Sequence, residues 1–424
     1  MTPLAAPAQD TTLSLSNLES QLIASPALAA ADSQIYSDDE LVQYEYERGR
    51  GFNYFFDNDF GPRSDIVLGQ QTNRTIRYGQ IFGVDFPLFG TRLTEHLALS
   101  EARSRANLAR IAAEGERRDL LRRLRASYLK FWQYDREQAI VANFLALEKA
   151  EAPAARAFAR EGFWTQGNYM GFLDGIARLA TDLSAARIER QSALADIRGI
   201  LNTDVPDRSP ETPDLSLSCS PPIDDAMVVA AENDAEIARL QQEQSEATAS
   251  LDFIKHSTIT ADFQLGAGTN FDIPQHATGY NVTGTFAIQF PQHARPEERA
   301  KRNAAYGDIQ QFHFLELQRR SELRAALLNV LDETSSATGE YIQAKREVAT
   351  MQETLREARV RESTIISTGA ASFNEVQLRI LDLYAAQRRT NIALGSIYFG
   401  VNGIENLVPN ACVPFRIDGP YPRH

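Results

Sequence analysis

The 424-residue chain contains no run of about eighteen consecutive apolar residues, so no helix in it can span a bilayer. Any membrane contact must come from a β-barrel or from a helix lying in the interface. Cysteine is nearly absent: Cys219 and Cys412 are the only two, and no pair of cysteines or histidines has zinc spacing. The six histidines are scattered, and neither histidine nor methionine clusters as a copper or silver site would require. HExxH, GxSxG, the P-loop and a GxGxxG following a strand are all missing, which leaves enzymatic chemistry without a motif. No cofactor and no metal are expected. A net charge of −13 argues against nucleic acid as a partner. The arginines 117, 118, 122, 123 and 125 are interleaved with Glu114, Glu116 and Asp119, the pattern of a solvated helix face.

Apolar residues make up 43% of the chain and charged residues 23%, a balance that excludes general disorder. Residues 1–12 read as a flexible tail. Ala6-Pro7-Ala8 resembles the cleavage site of a secretory signal, but the basic and apolar regions that should precede it are missing. A processed or truncated start and an unstructured Ala/Pro tail both fit.

The rest of the chain repeats. Asp182-Leu183-Ser184-Ala185-Ala186-Arg187 aligns with Asp382-Leu383-Tyr384-Ala385-Ala386-Gln387, and Gly199-Ile200-Leu201-Asn202 with Gly400-Val401-Asn402. Gly167 and Gly369 each precede a short apolar and acidic cluster, Leu173-Asp174 and Phe373-Asn374-Glu375. The starts match loosely, Ser25-Pro26-Ala27-Leu28 against Asn233-Asp234-Ala235-Glu236-Ile237. A duplication of roughly two hundred residues is too long for a solenoid unit. It divides the chain into a first repeat over 13–202, a Pro/Ser/Asp-rich linker over 203–222, a second repeat over 223–407 and a Pro-rich tail over 408–424. Each cysteine lies shortly after one repeat. The duplication therefore allows Cys219 and Cys412 to meet in a disulfide; two separate thiols are the alternative.

Within each repeat the expected order is helix, two strands, very long helix, turn, helix. The first helix runs from about Leu15 to Phe56 with a weak middle around Ser37-Asp38-Asp39, and its counterpart from about Ile223 to Leu251. Strands are expected at about 65–73, 76–87, 257–269 and 279–290. In the last two, Ile259, Ala261, Phe263, Leu265 and Ala267, then Tyr280, Val282, Phe286, Ile288 and Phe290, alternate with polar residues or glycine. Phe82, Val84 and Phe86 do the same in the first repeat. Alternation gives each strand one apolar and one polar face. Such strands suit a transmembrane barrel or a soluble antiparallel sheet with one solvated face. The stretches 90–160 and 296–367 contain few turn signals, and about seventy residues of α-helix measure about 100 Å. Leu323, Leu327, Val330, Thr334, Ala337, Tyr341, Ala344, Val348, Met351, Leu355 and Ala358 form a heptad seam.

In layout and in short motifs the chain resembles the TolC family of outer-membrane factors, from about Leu13 to Leu407. Val84-Asp85-Phe86-Pro87-Leu88-Phe89-Gly90 is similar to the family's strand-to-helix segment. The second copy keeps the proline in Ile288-Gln289-Phe290-Pro291 but continues Gln292-His293-Ala294. Gly369 followed by Ser372-Phe373-Asn374-Glu375-Val376 is similar to the periplasmic turn. The resemblance implies a mainly α protein with a small β part. Repeated long helical hairpins would form an α-barrel tunnel, and four strands per chain would enter a trimeric twelve-stranded transmembrane β-barrel. It implies a homotrimer in the outer membrane, projecting into the periplasm. The trimer would export cargo passively for a periplasmic adaptor and an inner-membrane RND or ABC pump, in drug efflux or type I secretion. On that reading Ile259, Phe263, Leu265, Val282, Phe286, Ile288, Phe82 and Val84 face outer-membrane lipid. Gly369, Asn374, Glu375, Gly167 and Asp174 lie at the periplasmic entrance. The family's second entrance acid has no counterpart, because Leu378 holds that place. The alternative is a soluble periplasmic coiled-coil scaffold or adaptor without a pore.

Overall fold

The computed structural model describes residues 12–64, 74–88, 91–213, 219, 221–254, 259–273, 277–289, 293–364, 369–409 and 411–412. The expected order occurs twice. The first pass runs β1 (Thr12–Leu13), α1 (Leu15–Leu22), α2 (Pro26–Arg48), β2 (Asn53–Ser64), β3 (Arg74–Pro87), α3 (Thr91–Arg160) and α4 (Gln166–Leu201). After the short β4 (Ser209–Pro210), the second runs α5 (Ile223–Asn233), α6 (Ala235–Ile254), β5 (Thr260–Ile273), β6 (Ala277–Gln289), α7 (Ala294–Thr364) and α8 (Gly369–Leu407). α3 and α7 have 70 and 71 residues, lengths far beyond the usual globular helix.

The chain forms two compact units, each drawn from both repeats. One comprises Met1–Ala30, Glu114–Asp234 and Arg320–His424. The other comprises Ala31–Ala113 and Ala235–Arg319.

The first unit is helical. One core cluster gathers Leu18 and Leu22 of α1, Leu124, Tyr128 and Phe131 of α3, and Leu194, Ile197 and Leu201 of α4. The Tyr128 hydroxyl lies 2.8 Å from the carbonyl oxygens of both Leu13 and Glu211, which ties β1 and the linker to α3. β1 and β4 pair in parallel, so Thr12, the last residue of the expected tail, lies in a strand. The heptad seam of α7 is buried or half-buried throughout, as its period requires. Its small and polar members meet glycines: a Cβ on Gly400 of α8 would collide with Thr334, and one on Gly403 with Val330. The two helices therefore approach more closely there than a side chain on α8 would allow.

Three expectations are corrected. The first helix does not reach Phe56: it breaks at 23–25 and ends at Arg48. Pro26 lacks an N–H and suits the first position of a new helix, so the break falls there rather than at Ser37-Asp38-Asp39. Those residues are helical because their side chains have partners: Gln34 donates to Asp38 at 3.0 Å, and Arg110 pairs with Asp39 at 2.6 Å. The counterpart helix also breaks, at Asp234, and extends to Ile254. The second correction is the partner of β3, which is 53–64 and not 65–73; residues 65–73 lie outside those described. α2 stops at Gly49 and Gly51, whose carbonyl oxygens accept from the Arg92 guanidinium, and the aromatic alternation of a strand begins at Phe52. Third, β5 runs to Ile273, past the expected end at 269, because Thr269, Phe271 and Ile273 continue the two-residue period.

Replacing Gly400 with alanine forces a methyl group into Thr334. It should lower unfolding stability by about 1–3 kcal/mol, read as a fall in melting temperature in detergent. The same change at Gly199, which has open space around its Cβ position, should be neutral or stabilising.

Candidate functional site

In the second unit, β2, β3, β5 and β6 form one antiparallel sheet in that order, so the two repeats join at the β3–β5 pair. The register runs from Ile76 opposite Ile273 to Pro87 opposite Asp262. It aligns the apolar alternations of all four strands. Phe82 and Val84 stand opposite Ala267 and Leu265, Phe263 opposite Phe286, Ala267 opposite Val282 and Ala261 opposite Ile288. Ile259 precedes β5 with the same parity. Aromatics run across the sheet in rows: Phe52 lies 5.7 Å from Phe86, Phe86 lies 6.2 Å from Phe263, and Tyr54 stacks on Phe82 at 5.9 Å. Most of this face is open, with Val282 78% and Phe286 56% accessible, while Ala261 near the start of β5 is buried.

The opposite face is polar. It carries Asp57, Asp59, Asp85, Asp262, Gln264, Asn281, Thr283 and Thr285 by the same register. Glycines interrupt it, and the ring of Phe55 fills the space that a Cβ on Gly83 would need. The outer strands β2 and β6 have no partner on their free edges among the described residues.

The hairpin ends lie in the first unit. α3 closes into α4 through 161–165, where Gly162 takes φ 76° and the Thr165 hydroxyl caps α4 by accepting from the Asn168 amide at 3.1 Å. Gly167 sits in the first turn of α4 and Gly369 is the first residue of α8. Trp164 packs on Phe373 at 5.1 Å, bringing the α3–α4 turn against the start of α8. Asp174 and Asn374 are exposed. Glu375 is half-exposed and pairs with Arg361 of α7 at 2.7 Å. Leu378 is 56% exposed.

Further along, polar side chains bridge the repeats. The Tyr384 hydroxyl donates to Asp182 at 2.8 Å, and Arg388 donates to Glu137 at 2.5 Å and reaches Asp182 at 3.4 Å. Asn391 donates to the Gln133 carbonyl at 3.1 Å. Burial, and Asp182 accepting from its hydroxyl, push the Tyr384 phenol above its ordinary range. Sequence reading missed this bridge, although Tyr384 and Asp182 lie in the two aligned repeat segments. It also missed Gly162, Trp164 and the aromatics of β2. For β2 the signal was present: Phe52, Tyr54, Phe56 and Phe60 fall on one face of a strand.

Cys219 and Cys412 are joined in a disulfide with Cα atoms 5.2 Å apart, fastening the linker to the turn after α8. Cys412 is buried, and its amide donates to Glu405. No group of histidine, cysteine, aspartate or glutamate among the described residues could hold a metal ion.

A four-stranded sheet shared between two repeats of long helical hairpins is the fold of outer-membrane channels of known structure. No family model matches the sequence, and no curated protein matches it. Among solved structures the chain is similar to the transmembrane channel CusC, with a TM-score of 0.76 and 14% identity over 96% of this chain and 94% of that one. It is similar to the outer-membrane channel OprN, with a TM-score of 0.74 and 14% identity over 93% and 89%. The outer membrane protein VceC of Vibrio cholerae gives 0.70 and 11% over 93% and 95%.

Thiol titration under denaturing, non-reducing conditions should find no reactive cysteine. Reduction should destabilise the protein by up to about 5 kcal/mol on a chain-entropy account of a loop this long. Two reactive thiols per chain would break the assignment.

Proposed function

We propose that three copies of the chain assemble into an outer-membrane exit duct. Each would contribute its four strands to a closed barrel of about twelve, with the helical hairpins extending into the periplasm. The observation that carries this reading is the sheet: one face apolar and largely exposed, the other polar, and both edges unpaired among the described residues. Open edges are not tolerated in lipid, so a chain with four strands needs other copies to close. Strands of 12 to 14 residues exceed the roughly 9–11 needed for a tilted crossing. The sequence has no P-loop, so the energy for export would come from a partner. An inner-membrane RND or ABC pump, reached through a periplasmic adaptor, fits that need. Ile259, Phe263, Leu265, Val282, Phe286, Ile288, Phe82 and Val84 would then face lipid. The acids of the opposite face would line the lumen.

Mass measurement in mild detergent should give a trimer; a stable monomer would sink the reading. Phe263→Arg should cost about 2–4 kcal/mol near the midplane and reduce assembly, whereas Asp262→Asn should change little. Equal assembly of Phe263→Arg and the parent would show that this face does not meet lipid.

The hairpin ends would form the periplasmic entrance, lined by Glu375 and Asn374, with Gly167, Gly369 and Asp174 beside them. Threefold symmetry would repeat each Glu375–Arg361 pair around the opening, so its field would be weaker than that of bare carboxylates. In planar bilayers, Arg361→Gln should raise cation selectivity and Glu375→Gln should lower it. If neither changes selectivity or block by divalent cations, the pair lies away from the conduction path.

A further inference from the structure

The seam between α3 and α8 carries two apolar clusters. One contains Val141, Phe144 and Leu145 of α3 with Val376 and Ile380 of α8. The other, nearer the hairpin ends, contains Ala155, Trp164 and Phe373. Between them lies a carboxylic acid. Glu148 of α3 is 3% exposed, and Gln377 of α8, which faces it, is 6% exposed. Gln377 faces the acid with its amide end 2.7 and 3.0 Å from the two carboxyl oxygens, so its nitrogen donates when the acid is ionised and its oxygen accepts when the acid is protonated. The surroundings supply little to balance a charge. α3 adds a second acid, Glu151, one turn away. α4 contributes the apolar Ile176 and Leu179 to the flanking clusters. α7 presents Glu362, which feels Glu151 as a like charge and Arg359 as an opposite one.

We propose that the Glu148–Gln377 pair is a proton-dependent latch: the neutral acid holds α3 and α8 together beside the hairpin turns, and loss of its proton loosens that end of the seam. A neutral carboxyl can donate its O–H to the Gln377 carbonyl after the amide turns over, so the pair stays bonded without a buried charge. An ionised carboxylate in the same place gives up its hydration for one amide, with Glu151 close by. Desolvation first, and Glu151 second, push the Glu148 carboxyl up to about 7 from its usual 4.5. The sign follows: a raised acid pKa makes the closed seam bind the proton more tightly than the open one. Its contribution is full below about 4.5 and is lost as pH rises through about 7. The latch is a property of the folded chain. Its position at an entrance, and so a role in admitting cargo, rests on the duct reading.

Hydrogen exchange of the full-length protein in detergent tests it. Peptides spanning 141–160 and 373–384 are compared with peptides from 193–201, whose ratio removes the intrinsic pH dependence of exchange. Between about pH 6 and pH 8 the seam peptides should gain about tenfold in relative exchange rate. Glu148→Gln, which has the shape and neutrality of the protonated acid, should abolish that gain. Glu151→Gln, which removes the like charge, should move the transition to lower pH. A flat ratio in the parent overturns the latch whether or not the variants fold, and so does a gain that survives Glu148→Gln. A trimer with a flat ratio keeps the duct and rejects the latch; a monomer with the tenfold gain does the reverse.

Discussion

Backbone pairing between β3 and β5 is the joint on which the functional surface depends. Among the described residues it is the only place where the strands of one repeat bond to those of the other. Its register decides which face of the combined sheet is apolar. Because side chains alternate with a period of two, a slip of one residue would put Asp85 beside Leu265 in one direction, or Val84 beside Gln264 in the other, mixing the faces. Four strands share one parity across three interfaces, and each strand alternates on its own. The pattern in the sequence and the pairing in the sheet therefore specify each other. Glycine adjusts this design locally: Gly284 leaves a gap on the apolar face opposite Leu265, and Gly83 makes room on the polar face for Phe55.

The helical unit solves a different problem. Helices of about seventy residues with a low share of large apolar side chains cannot rely on a wide greasy core. Close approach substitutes for bulk. Gly400, Gly403, Ala337 and Ala344 let backbones come near, where dispersion accumulates over many short contacts. The disulfide and the Tyr128 hydroxyl fasten irregular segments to these helices, where the linker and the chain ends would otherwise fray.

What the sequence revealed followed from periodicity. The seam of α7 lies buried at every third and fourth residue, and β5 and β6 alternate as the residues do. The long helices appeared because turn residues were missing, a signal that holds over seventy positions. The failures came where a local signal competed with a stronger neighbour. Pro26 breaks the first helix, while the acidic Ser37-Asp38-Asp39, which looked like the weak point, is held by Gln34 and Arg110. β2 was absorbed into that helix because its aromatics follow a helical stretch with only Gly49 and Gly51 between. At the hairpin ends the glycines and acids are visible in the sequence, with Asp174 one residue out of step with Glu375 relative to its glycine. Arg361 is not visible as their partner, since its link to Glu375 depends on how α7 and α8 pack and not on any spacing along the chain. The same holds for Glu148, twenty-six residues before Asp174 and unremarkable in a charged helix until α8 covers it.

Several polar side chains buried or half-buried in the helical unit lie on contacts between the repeats. Glu137 meets Arg388 and Asn391, Asp182 meets Tyr384, and Glu148 meets Gln377, each a pair from the first and second repeat. Such pairs are poor sources of stability, because desolvation offsets most of what they return. They discriminate well between alignments. Apolar seams with a seven-residue period tolerate a shift by one heptad, since the next layer presents a similar surface. A shift of that size on α8 would take Arg388 and Tyr384 away from Glu137 and Asp182, and would set Ala370 or Tyr384 against Glu148 in place of Gln377. Unpaired buried charges cost several kcal/mol, so the penalty falls on the wrong register and not on the right one. The two hairpins share their order of elements, and these polar pairs help to fix one alignment between them.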